Sequence, residues 1–347
     1  MCAWALKCQW LFLALLGKPL RGVAYDINDI YFIFIVYMNE VKLYGKTIPE
    51  MLDHIAKFKG KTLIFFDTET TGLEPNRPYE QVTQIAAMAV NGDDWSLLDK
   101  FEDKASLNPN AQQILNDPTI KSFVAKLKEP GIKVTLDTGE LSPEIQSLIR
   151  GITNPISREY MKDYVRWLKK YKKHPSSLED ILGLTRYSSG KPESDRVSEK
   201  EMLVNFESFL KKYGSNVIMI AHNAGFDMKT IEARRKANGL GRMDKKPVFD
   251  NLQFVRYFLV PLVVKLNDQE FLDQIKTKSK AQPYSASLGK VAQAMKINPS
   301  GWHDALADVD MMIQVMRQLI DMLEKNTSVD IKGGQSTQAK RLRRMKV

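Results

Sequence analysis

The alternation of apolar and polar positions divides the chain into a strand-rich first third, a helical middle and a helical end. Leu63-Ile64-Phe65-Phe66 is a continuous apolar run, the pattern of a strand buried on both faces, and it ends on Asp67. A second strand is predicted over Val82 to Val90. The turn Asn91-Gly92-Asp93-Asp94 then leads into a third strand near Leu97 to Phe101, which makes a β-meander. Asn216 to Ala221 reads as another buried strand and Pro247-Val248-Phe249 as a short one. Helical periodicity covers Met228 to Asn238, closes at Gly239, and resumes from about Asn251, where Pro261 must interrupt or kink it. The clearest helix is the last, because Leu306, Val309, Ile313, Met316, Ile320 and Leu323 follow one another in steps of three and four.

Ahead of the first strand, Thr47-Ile48-Pro49-Glu50 has capping-box spacing and precedes Met51, Leu52, Ile55 and Phe58. A short amphipathic helix is therefore expected within residues 38–60. Between about 105 and 215 the pattern changes to helix-like segments with proline breaks and many lysines, a large and mostly helical insertion into one sheet domain spanning 61–326. Residues 1–37 differ from the rest. Their apolar runs Trp10 to Leu16 and Ile30 to Tyr37 fall short of the ~18–20 residues that cross a bilayer. Because Met38 opens an ordinary polar amino terminus, residues 1–37 read as an apolar leader outside the native protein. Residues 327–347 are rich in Gly, Ser, Gln and Lys and end in a basic run, the composition of a disordered tail. The fold class expected is α/β: a mixed sheet flanked by helices, with a large helical insertion.

Composition narrows the partners. Fifty-one Lys and Arg against 41 Asp and Glu give a net charge of +10, which suits a polyanion such as nucleic acid. Arg166-Trp167-Leu168-Lys169-Lys170-Tyr171-Lys172-Lys173 interleaves cations with aromatics that could stack unpaired bases, although the same composition also describes a helix with inward rings and solvated lysines. The two cysteines, Cys2 and Cys8, leave the body of the chain without a thiol for disulfides or a thiolate zinc site. A reducing, cytoplasmic setting without a membrane partner is expected.

Three short blocks carry the candidate chemistry. Asp67 and Glu69 are two apart at a strand end, so both carboxylates project to one side, where a hard divalent cation such as magnesium or manganese would offset their repulsion. His222 and Asn223 close the strand that begins near Val217, and Asp227 follows at a helix start, where an acid also gains from the helix dipole. His303 and Asp308 are five apart, about 140° around a continuous helix, so His303 is expected in the loop and Asp308 within the helix. Asp304 is an alternative ligand and equally an N-cap.

Together, Asp67-Thr68-Glu69-Thr70-Thr71-Gly72-Leu73, His222 to Asp227 and His303 to Asp308 resemble the three motifs of the DEDD exonuclease superfamily. The resemblance is to its DEDDh branch, to which proofreading subunits of bacterial replicative polymerases belong. The likeness runs roughly from Lys61 to Glu324, with Tyr284 to Leu288 loosely similar and the insertion poorly matched. More faintly, the layout resembles exonucleases encoded by large bacteriophages, which would place the protein in a host cytoplasm. The resemblance implies a ribonuclease-H-like fold, 3′→5′ removal of nucleotides, and two divalent cations, Mg2+ or Mn2+, held by Asp67, Glu69, Asp227 and Asp308. It implies His303 as the base, with His222 as its rival. It also implies that the backbone around Thr68 and Glu69 cradles the terminal nucleotide and that Leu73 wedges against its base, while Asn223 orients the site. DNA with single-stranded or frayed 3′ ends is the expected substrate, in replication, repair or turnover, with any polymerase or replisome partner acting in trans. An exoribonuclease and a non-catalytic nucleic-acid-binding module are the alternatives.

Overall fold

The computed structural model describes residues 55–72, 76–127, 143–171, 195–278, 283–298 and 304–331. They fall into two compact units. Leu52–Lys325 holds the sheet and its helices. Met1–Met51 with Asn326–Val347 forms the other, in which only the end of the last helix is described. The apolar leader, the capping box at Thr47 and the tail beyond Ile331 lie outside the described residues, as do Leu73 and His303. Ile55 and Phe58 of the first helical stripe are buried. Among the described residues no helix is long and apolar enough to cross a membrane.

Five strands form one mixed sheet in the order β3-β2-β1-β4-β5: β1 (Thr62–Thr70), β2 (Val82–Asn91), β3 (Leu97–Lys104), β4 (Val217–Ala221) and β5 (Val248–Asp250). The meander β1-β2-β3 is antiparallel, while β4 and β5 run parallel to β1. Central position explains the sequence pattern. Val82 to Val90 of β2 is buried at every residue, and Leu63 to Phe66 of β1 is fully enclosed. The strand β1 runs on past its apolar run, so Asp67 and Glu69 lie within the ladder, opposite Ala86 and Gln84 of β2.

Among the described residues, four helices come after β3 and before the next sheet-packing helix: α1 (Pro109–Asn116), α2 (Pro118–Leu127), α3 (Pro143–Gly151) and α4 (Pro155–Tyr171). They build their own apolar cluster around Ile114, Ile120, Phe123, Ile149, Met161 and Val165, into which Tyr79 of the β1–β2 connection inserts. The Asp163 carboxylate on α4 accepts from the Tyr79 hydroxyl and from the Arg77 guanidinium, tying this cluster to that connection. The next helix, α5 (Glu199–Lys211), falls inside the range expected for the insertion but packs on the sheet: Met202, Leu203, Phe206 and Phe209 cover Ile64, Phe66, Ala87 and Met219. Beside α5, α6 (Ala224–Ala237) adds Ala224 and Ile231 to the same layer. A buried ion pair locks the layer. Arg234 of α6 donates two bonds to Glu199, at 2.9 and 2.8 Å, and Glu199 also accepts from the Val82 amide at 2.8 Å and the Asn238 side chain at 2.8 Å.

Beyond β5, α7 (Asn251–Phe254) passes through a π-helical turn (Val255–Leu259) into α8 (Val260–Leu266). Pro261 accounts for that turn. It brings no amide hydrogen and its ring crowds the carbonyl four residues back, so the ladder loosens one turn earlier and the rod continues without breaking. Two short helices follow, α9 (Gln269–Ile275) and α10 (Leu288–Ala294), before the long α11 (Ala305–Ile331). Val309, Met312, Ile313, Met316, Leu319 and Ile320 form the buried stripe of α11, close to that expected.

Candidate metal centre

Parity along β1 decides which acids can meet. Ile64 and Phe66 face the α5–α6 layer, where the Phe66 ring packs tilted against Phe206 of α5 with centroids 5.9 Å apart. Asp67 and Glu69, one residue out of phase, project from the opposite face. There the first turn of α11 brings in Asp308. Carboxylate oxygens of Asp67, Glu69 and Asp308 lie within 4.8 Å of one another. Asp308 is buried and the other two are half-buried. Three carboxylates brought this close repel one another when ionised, a repulsion that a bound cation relieves, and an all-oxygen set is the donor type that hard divalent cations take. This cluster can therefore hold a divalent cation.

Asp227 does not join that group. Thr68 shares the parity of Phe66, points to the α6 side, and donates its hydroxyl to the Asp227 carboxylate at 2.6 Å. Asp227 thus sits beneath the strand residue that separates Asp67 from Glu69. Burial pushes its carboxyl up to about 7, against hydrogen bonds from Thr68 that favour the ionised form, and the nearby Asp250 charge adds to the rise. The first turn of α6 contains Asp227 because Asn223 turns the chain sharply out of β4. Asn223 has φ +80° and ψ +46°, a left-handed geometry that asparagine adopts more readily than most residues. Its side chain makes no cap, and its amide donates to Asp250 at 3.2 Å.

His222 is held by both ring nitrogens. Nε2 lies 2.9 Å from the Ala286 carbonyl, which can only accept, so Nε2 carries the proton; Nδ1 then accepts from the Asn251 amide at 3.2 Å. Burial pushes the His222 imidazole down to about 4, which outweighs the bond to Ala286. It is a neutral tether between the end of β4 and the segment before α10.

Asp304 resolves as an N-cap. Its Oδ1 accepts from the amides of Leu306 at 3.1 Å and Ala307 at 3.4 Å, while Oδ2 accepts from Gln84 and Lys104, each at 3.1 Å. Burial opposes its ionisation, but the bonds from Gln84 and Lys104 hold the carboxyl below its usual range. Two residues around the site escaped sequence reasoning. Gln84 had a signal, being a long polar side chain inside the apolar run of β2, and it is buried. Asp250 caps α7 and restrains the β4–α6 turn, and only tertiary placement shows it.

No family model matches the chain, and no curated protein sequence matches it. Among solved structures it is similar to E. coli exonuclease I. The complex with a dT13 oligonucleotide is 14% identical with a TM-score of 0.42, over 77% of this chain and 42% of that one. A zinc-bound E. coli exonuclease I–ssDNA complex is 14% identical at a TM-score of 0.39, over 76% and 40%, and a product-bound exonuclease I is 14% identical at 0.40, over 77% and 46%. The chain thus spans less than half the length of these structures.

Proposed function

We propose that the protein is a cytoplasmic, metal-dependent 3′→5′ exonuclease of the DEDDh type. It would act on single-stranded or frayed DNA ends and release nucleoside 5′-monophosphates. One observation carries the reading: the motif residues Asp67, Glu69 and Asp308, far apart in sequence, converge on one face of the sheet. The resemblance of the three sequence blocks supplies the reaction, and the net charge of +10 suits a polyanionic substrate.

Asp67, Glu69 and Asp308 would hold the first of two divalent cations, Mg2+ or Mn2+. Asp227, tethered through Thr68, would serve as the fourth acid of the set. Bound divalent cations in such sites activate the attacking water and offset charge on the leaving oxygen. The chain's own residues do the rest. Thr68 keeps Asp227 oriented, the Asp304 cap fixes the start of α11, and His303, directly before that cap, would take the proton from water. The bonded state of His222 supports His303 over His222 as base, since a neutral ring with both nitrogens engaged has no free acceptor. Asn223 would orient the site through its turn, and Leu73 would contact the terminal base.

The test is degradation of oligonucleotides labelled at either end, single-stranded DNA, duplex DNA and RNA in parallel, with Mg2+, Mn2+ or chelator. Shortening from the 3′ end of DNA, dependent on metal, is expected. Loss from the 5′ end would overturn the polarity, preference for RNA would overturn the substrate, and full activity in chelator would overturn the metal requirement.

A further inference from the structure

The antiparallel registers place Glu69 opposite Gln84 on β2 and Gln84 opposite Lys104 on β3. Residues directly opposite in an antiparallel pair share a face, so Glu69, Gln84 and Lys104 form one row across three strands on the metal-centre side. The cap of α11 seats on this row. The Gln84 Nε2 donates to Asp304 Oδ2 at 3.1 Å while its Oε1 accepts from the Ala305 amide at 3.3 Å, so one carboxamide grips the helix start by both of its ends. Lys104 Nζ reaches the same Asp304 oxygen at 3.1 Å and lies 3.4 Å from Glu102, which also accepts from Gln84 at 3.0 Å. Gln84 is 5% exposed and the Lys104 side chain 8%, so both hydrogen-bonding tips work in a screened environment where geometry is held tightly.

A buried glutamine in the middle of an apolar central strand costs stability unless it is fully bonded, and an apolar residue would fill the place without that demand. Its position supplies a reason. Asp308 lies one helical turn beyond Asp304, so any shift or rotation of the start of α11 moves Asp308 relative to Glu69. The Gln84 carboxamide fixes both coordinates at once, since it stands beside Glu69 on the sheet and is bonded to the helix that carries Asp308. Resting on the metal-centre reading above, we infer that Gln84, with Asp304 and Lys104, is the positioning device that sets the spacing between Glu69 and Asp308 and thereby the affinity of the centre for divalent cations.

Mn2+ affinity of the full-length protein, measured by electron paramagnetic resonance of free Mn2+, tests this without reference to turnover. Gln84→Leu and Gln84→Glu should each raise the Mn2+ Kd by about 10-fold or more, the range seen when residues that orient metal ligands are removed. Adding Asp304→Asn to Gln84→Glu rebuilds the bond between positions 84 and 304 with donor and acceptor exchanged, while the charge set against Glu102 is the same in both variants, so the double variant should bind Mn2+ markedly tighter than Gln84→Glu alone. If Gln84→Leu fails to fold, the comparison of Gln84→Glu with the double variant still decides. A Kd within about twofold of wild type for Gln84→Glu, or no recovery in the double variant, would overturn the inference. Absence of Mn2+ binding by the wild type would instead overturn the metal centre itself.

Discussion

Asp308→Asn should make the metal-free protein more stable while reducing its response to metal. In the wild type, the Asp308 carboxylate lies within 4.8 Å of both Asp67 and Glu69. At that separation two unit charges repel by about 0.9 kcal/mol in water and about 3.5 kcal/mol at an effective dielectric of 20. Asp67 and Glu69 are half-buried, which draws each pair toward the lower figure, so relief of two repulsions should stabilise the metal-free fold by about 2 kcal/mol. Asparagine keeps the shape of the side chain, so no cavity term offsets this gain. For a domain of this size that corresponds to a rise in melting temperature of about 4 to 8 °C. Thermal unfolding followed by circular dichroism in chelator at pH 8 measures it. Repeating the scan with Mg2+ gives the second half of the expectation, a smaller metal-induced rise for the variant than for wild type. An Asp308→Asn protein no more stable than wild type in chelator would show that the three acids do not strain the metal-free fold, and the electrostatic argument for a cation would fail.

Further expectations follow from the same structure. Glu199→Gln or Arg234→Met breaks a buried, doubly bonded ion pair and strands its partner, which should cost about 3 to 5 kcal/mol in urea unfolding; a loss under 1 kcal/mol, the scale of an exposed pair, would show that the pair is solvated. Asp227 and His222 impose opposite pH dependences on the metal-free protein. With a folded value near 7 against an ordinary 3.8, Asp227 keeps its proton in the fold, so its contribution is present below about pH 4 and lost as pH rises through 7. His222, pushed to about 4 from an ordinary 6.5, stays neutral in the fold and loses stability as pH falls from 6.5 toward 4. The two slopes oppose each other between pH 4 and 6.5, so Asp227→Asn should shift the dependence toward a rise with pH across that window relative to wild type; identical profiles would refute the assignment. Thr68→Val removes a bond to the ionised Asp227, so the loss of stability with rising pH should continue to higher pH than in wild type.

The parts of the fold set by local pattern were legible in advance. Leu63 to Phe66 and Val82 to Val90 announce central strands because strands covered on both faces need no alternation, and the stripe from Leu306 to Ile320 announces α11 because one face of the helix is buried. The spacing of Asp67 and Glu69 likewise gave their shared face. What was hidden depends on contacts between distant segments. The α5 helix looked like part of the insertion, since its amphipathic pattern is the same whether it packs on other helices or on Ile64 and Phe66. Asp227 was expected beside the other acids, but the parity of Thr68 puts it on the α6 side of β1. Glu199 and Arg234 gave no sign of each other across their separation in sequence, and the bonds of Asp304 to Gln84 and Lys104 required the three-strand register before its cap role was settled.

As proposed above, the acids gathered on the β1 face would carry out metal-dependent removal of 3′ nucleotides. The most direct measurement is the rate of mononucleotide release from 5′-labelled single-stranded DNA by wild type, Asp67→Ala and Asp308→Ala, each shown to be folded by circular dichroism, with Mg2+ and with chelator. Wild type with Mg2+ alone should give a ladder shortening stepwise from the 3′ end, and both variants should fall to the chelator background. Variants that degrade the strand as fast as wild type would contradict that proposal.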